Sequence, residues 1–106
     1  MRIIYLAIAV QDLGEIRASL AANYPSMARP AGIKLRDSIN GLAQFPNLGK
    51  PGRVFGTREL VIPQVGKISY IVIYRVKREE IHILRVLAGM RDIDTILEAG
   101  FGEEED

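Results

Sequence analysis

The chain contains no cysteine, no tryptophan and one histidine, His82. The missing thiols exclude disulfides and thiolate metal sites and fit a cytosolic protein. One imidazole and no thiol cannot build the usual triads or metal-ligand sets, so no metal and no cofactor is expected. No apolar run approaches the roughly 18 residues needed to cross a bilayer, so no membrane partner is expected. There is no internal repeat and no linker. The first ten residues are apolar, but Asp12 follows at once, without the longer hydrophobic region and small-residue cleavage site of a signal peptide. A buried first strand is the preferred reading of that segment.

What remains is a chain of 106 residues with 48% hydrophobic content, enough for one small core and one domain. Its net charge of +1 is unevenly placed, because the last four residues are all acidic. Without them the body carries 14 basic against 9 acidic residues, or +5. A mildly basic body suits an anionic partner, either nucleic acid or an acidic peptide segment, although its charge density is far below that of a dedicated DNA-binding domain. Ordinary solvated Lys and Arg account for it as well. The acidic end is read as a solvating tail in preference to one that folds back on the body.

Residues 2–8 are isoleucine-rich and read as a strand. Asp12, with Glu15 three residues on, reads as a capping box opening a helix. Leu13, Ile16, Leu20 and Tyr24 then recur at helical spacing as one apolar stripe. Asn23-Tyr24-Pro25 ends that helix, and Ser26 caps a second with Pro30 in its first turn. Ala28, Ala31, Leu35, Ile39, Leu42 and Phe45 form the second stripe. Gly32 and Gly41 weaken this helix, and close packing on a neighbour is the expected reason for them. The two helices make an antiparallel hairpin.

A Gly/Pro-rich loop over 47–56 follows. Three strands are read at 57–62, 68–76 and 81–87, with turns at 64–67 and at Arg78-Glu79. The second turn sets a register pairing Val76 with Ile81, Tyr74 with Ile83, Val72 with Arg85 and Tyr70 with Leu87. One face then holds Tyr70, Val72, Tyr74 and Arg85. The other holds Ile71, Ile73, Leu84 and Val86, and this more aliphatic face is expected against the helices; a single bulge would exchange the two. Residues 92–99 read as a short helix. The domain is taken as 1–99, with 100–106 an acidic tail expected to be disordered.

The stretch from Pro51 to Arg91 carries the one pattern specific enough to suggest a function. Lys50-Pro51-Gly52-Arg53, Gly56-Thr57-Arg58-Glu59-Leu60, Tyr70-Ile71-Val72-Ile73-Tyr74-Arg75-Val76 and Ile83-Leu84-Arg85-Val86-Leu87-Ala88-Gly89-Met90-Arg91 follow in that order. Together they resemble the C-terminal half of ParE-like toxins, in the RelE/ParE superfamily of type II toxin–antitoxin modules. The N-terminal half is similar in length, in the order of elements and in Asp12-Leu13 opening the first helix. The resemblance implies an α+β fold with an N-terminal strand, an antiparallel helical hairpin, a three-stranded antiparallel meander forming one curved sheet, and a short C-terminal helix or tail.

It also implies a cytoplasmic toxin that inhibits growth and serves plasmid stabilisation. Its protein antitoxin would wrap it with a helix and an added strand, and operator DNA would be reached only through the antitoxin complex. No small-molecule substrate is implied. ParE-like toxins inhibit DNA gyrase by trapping it on cleaved DNA, which is binding without chemistry by the toxin. RelE-type relatives instead cut messenger RNA on the ribosome. That needs a base, an acid and cations around the phosphorane-like transition state, supplied by Arg or Lys, Glu, His and a C-terminal Tyr. Here Ala88 stands where many members have His, and no Tyr follows Tyr74. The expectation is therefore a gyrase-directed binding toxin and not an enzyme. A ribosome-dependent endoribonuclease, or a degenerate toxin that only binds antitoxin, are the alternatives.

The residues expected to meet the target are Arg53, Arg58, Tyr70, Tyr74, Arg85 and Arg91. A planar guanidinium grips phosphate or carboxylate bidentately and stacks on aromatic rings. The competing reading is that each Arg makes a local pair, as Arg58 beside Glu59 suggests. Leu13, Ile16 and Ile33 are the expected antitoxin contacts, with plain partial burial the competing reading for Ile33. His82, near the last hairpin turn, reads as an ordinary surface or half-buried residue.

Overall fold

The computed structural model describes residues 1–65 and 68–102. Strand β1 (Arg2–Tyr5) leads into helices α1 (Ala7–Asn23) and α2 (Pro25–Gly41). Then come β2 (Lys50–Pro51), β3 (Arg58–Val65), β4 (Ile68–Lys77), β5 (Glu80–Ala88) and the short helix α3 (Ile93–Glu98). The five strands form one sheet in the order β1-β5-β4-β3-β2. The expected meander is β3-β4-β5, with antiparallel pairing throughout. β1 returns parallel to β5, pairing Ile3 with Ile81 and Tyr5 with Ile83. The helical hairpin lies between β1 at one edge of the sheet and β2 at the other, and the meander then returns to β1. The two-residue β2 was not anticipated in the sequence.

Several boundaries move. α1 starts five residues before Asp12, with Leu6 as its N-cap and no side-chain cap. α2 starts at Pro25, which takes the first turn expected for Pro30, while Pro30 lies inside the helix. Leu20, Ala31, Leu35, Ile39 and Leu42 are buried as the stripes require, whereas Tyr24 and Phe45 at their ends are exposed. A Cβ at Gly32 or Gly41 would meet nothing within 4 Å, so close packing is not why glycine stands there. β3 continues past Pro63 to Val65, with a register irregularity between Ile62 and Val65. Positions 66 and 67 of the expected turn, and 103–106 of the expected tail, lie outside the described residues. Phe101, within that tail, packs beside the core under α3.

The β4–β5 register begins as the turn dictates, with Val76 opposite Ile81 and Tyr74 opposite Ile83. A bulge then intervenes, so that Ile73 faces Arg85, Val72 faces Val86 and Tyr70 faces Ala88. This corrects the expected pairs Val72–Arg85 and Tyr70–Leu87. It also brings Val86 onto the face of Tyr70, Val72 and Tyr74. That face, and not the Ile71/Ile73 face, packs against Ala9, Leu35, Ile39 and Leu42 of the helices. The other face is covered too: Ile73, Leu84 and Leu87 pack with Leu6, Ile93 and Leu97. With both faces buried, aliphatic content does not reveal which one meets the helical hairpin.

Candidate functional site

Asp12 and Arg85 form a buried ion pair. Arg85 Nε donates to Asp12 Oδ2 at 2.7 Å and its Nη2 to Oδ1 at 2.8 Å. The Val86 backbone N–H also donates to Oδ2, at 3.0 Å. The bulge gives the reason: the extra residue in β5 interrupts the ladder, and the carboxylate from α1 takes up the N–H and the guanidinium beside it. Asp12 is therefore a cross-brace between helix and sheet and not a helix cap. The hydrogen-bonded carboxylate raises the Arg85 pKa above its ordinary value.

Tyr70 and Tyr74, expected to stand beside the arginines on an open face, are 2% and 0% exposed. Tyr74 anchors the loop before β2. Its hydroxyl donates to Pro46 O at 2.7 Å and accepts from Gly49 N–H at 2.9 Å. The loop comes so close that a Cβ on Gly49 would lie 2.8 Å from the Tyr74 hydroxyl and 2.9 Å from Glu59 O. Burial pushes the Tyr74 phenol up, against the opposing pull of the Gly49 N–H and Arg58.

Arg58 does not pair with Glu59. Its Nη1 donates to Gly49 O at 2.6 Å. Glu59 is instead the partner of Arg53. The Arg53 backbone N–H and Nε both donate to Glu59 Oε2 at 2.9 Å, and Nη2 to Oε1 at 3.0 Å. Arg53 Nη1 reaches on to Asp94 Oδ1 of α3 at 3.0 Å. The hydrogen bonds from Arg53 lower the Glu59 pKa below the usual carboxylate value, and Lys50 adds to the effect. His82 is half-buried and bonds Glu80 at 3.0 Å, while Arg2 bonds the other oxygen of Glu80 at 2.6 Å.

The expected basic constellation is thus not gathered into one site. Arg85 is interior, Arg53 is held by two carboxylates, Arg58 lies beside β2, and Arg91 lies at the far end of β5. Arg91 does border a concavity of about 210 Å³ between α1 and the sheet, with Glu15, Ile16, Ser19, Tyr70 and Ala88 among its walls. Of the expected antitoxin contacts, Leu13 and Ile16 are half-buried against the core, and Ile33 is exposed. Sequence reasoning missed Asp12, Glu59 and Asp94 as ion-pair partners. The run Arg58-Glu59 pointed to a neighbour pair, whereas the actual partner of Glu59 is six residues away. Among the described residues no group of His, Asp and Glu is placed to hold a metal ion, and no helix is long and apolar enough to cross a membrane.

Residues 3–93 match the family model described as ParE toxin of type II toxin-antitoxin system, parDE. The chain belongs to the ParE toxin family. A relative from Sinorhizobium fredii (strain NBRC 101917 / NGR234), named "Putative toxin Y4kP", is 35% identical over 86 residues, covering 81% of this chain and 85% of the relative. A solved structure described as the chromosomal ParDE TA system from P. aeruginosa matches with a TM-score of 0.72 at 27% identity. That match covers 83% of this chain and 95% of the other. The fold anticipated from the C-terminal motifs is the ParE fold, and the N-terminal half belongs to it as well.

Proposed function

We propose that this ParE family toxin acts by binding DNA gyrase and trapping its cleaved complex, and that a cognate protein antitoxin neutralises it. The observation that carries the binding reading is the closure of Arg85 on Asp12. The central cation of the C-terminal motif is engaged inside the molecule and does not reach a phosphate. The hydroxyl of Tyr74 is likewise committed to the loop it anchors. At Ala88 there is no side chain to exchange a proton. Strand cleavage through a 2′-hydroxyl needs a positioned acid and base, and the one carboxylate among the residues that carry the family resemblance, Glu59, is taken up by Arg53. Partnership with an antitoxin is supported by the ParDE description of the structural relative. The open edge of β3 beyond its short pairing with β2 is the physical means for an added strand.

The test is a cleavage assay with purified chain, gyrase holoenzyme, supercoiled plasmid and ATP, read as linear DNA after detergent and protease. Linear product that disappears on adding antitoxin is the expected result. No linear product from folded protein, together with cut messenger in a ribosomal assay, would replace this reading with the endoribonuclease.

A further inference from the structure

The turn Val54-Phe55-Gly56-Thr57 holds Phe55 entirely out of the molecule, with 103% relative exposure. This turn is not slack. The Thr57 N–H donates to Val54 O at 3.1 Å, its hydroxyl donates to the same oxygen at 2.6 Å, and Gly52 N–H closes on Thr57 O at 2.8 Å. Gly56 has φ +83°, the left-handed value that the third position of a type II turn demands. Arg53, next to the turn, is fastened by backbone and side chain to Glu59. An aromatic ring is thus presented on a braced turn, which lowers the entropy lost when a partner takes it up. Beside it, Asn47, Pro51, Thr57, Arg58 and Val76 line a shallow concavity of about 260 Å³.

We infer that Phe55 and this adjoining concavity are the surface by which the toxin grips a protein target, with Phe55 filling an apolar pocket of the partner. The inference rests on the reading above, that the chain poisons by binding. Three observations select the occupant. Nucleic acid needs uncompensated cations, yet beside this turn Arg53 is bonded to Glu59 and Asp94 and Lys50 stands opposite Glu59 in the β2–β3 register, leaving Arg58. An antitoxin strand needs open backbone groups, and those that brace this turn are bonded within it. A projecting phenylalanine ring flanked by an arginine matches the residue types enriched at protein–protein interfaces.

The experiment expresses the full chain as wild type, Phe55→Ala, Phe55→Asp and, as a control at another exposed apolar position, Val10→Ala. Growth arrest, melting temperature, antitoxin co-purification and plasmid gel shift are measured. The expected result is arrest weakened about tenfold or more by both Phe55 substitutions, with melting temperature within about 3 °C of wild type and antitoxin binding intact. Arrest by Phe55→Ala equal to wild type overturns the surface and leaves the toxin reading standing. Loss of antitoxin binding together with arrest overturns it in favour of the antitoxin as occupant, and a gel shift lost in Phe55→Ala overturns it in favour of DNA. No arrest by folded wild type defeats the toxin reading itself, and the surface with it.

Discussion

Asp12 and Arg85 are separated by 73 positions and meet as a bidentate pair, 4% and 9% exposed as whole residues. Removing one partner of a buried pair leaves the other charged and uncompensated. Asp12→Ala should therefore cost about 3–5 kcal/mol of stability. Urea unfolding with an unchanged slope would measure it, and a loss below about 1 kcal/mol would mean that water already reaches the pair. Glu59 carries a pH signature. Its folded-state pKa lies below the ordinary 4.5, so its contribution is present above that value and is lost as pH falls through the depressed folded value. Melting temperatures from pH 6 downward should fall more steeply for wild type than for Glu59→Gln, which starts less stable. Parallel curves would show that Arg53 does not favour the ionised form. None of this was legible in the sequence. Asp12 three residues before Glu15 has the spacing of a capping box, and only the chain's return through β5 puts a guanidinium beside it.

At the scale of elements, the two-residue turn of the last hairpin was readable because hydrophobic runs flank Arg78-Glu79 closely. Both residues adopt positive φ, 54° and 60°, the geometry of a type I′ turn, where Asn-Gly is preferred. Glu79→Gly should stabilise the protein by about 1 kcal/mol by relieving the left-handed strain on a residue with a Cβ. A lower denaturation midpoint would contradict that. The register set by this turn holds for two residue pairs inward from Lys77 and Glu80, Val76–Ile81 and Arg75–His82, and for Tyr74–Ile83 after them. It then slips at a bulge that no residue in the strand announces. Tyr70 and Tyr74 were placed on the wrong side because both faces of the sheet are buried, so the more aliphatic one does not mark the side of the helices. The start of α1 was misplaced for a related reason, since Leu-Ala-Ile-Ala-Val suits strand and helix alike.

For the molecule as a whole, local sequence placed the hairpin of helices and the meander, and the family motifs placed the fold. The expected basic face is where reading by residue type failed. Arginines were counted as free cations, while the fold distributes them: one to Asp12, one to Glu59 and Asp94, one to the Gly49 carbonyl. On the function proposed above, a protein whose motif arginines brace its own fold acts through shape and exposed contacts. The measurement that tests this most directly is gyrase-dependent linear DNA from the double variant Asp12→Asn, Arg85→Gln. It removes both charges, keeps an amide pair in their place, and leaves an acceptor for the Val86 N–H. The account predicts antitoxin-reversible linear product within about threefold of wild type once the variant is shown to be folded. A folded double variant that yields none, beside an active wild type, would show that the Arg85 charge itself takes part in poisoning and would contradict the account.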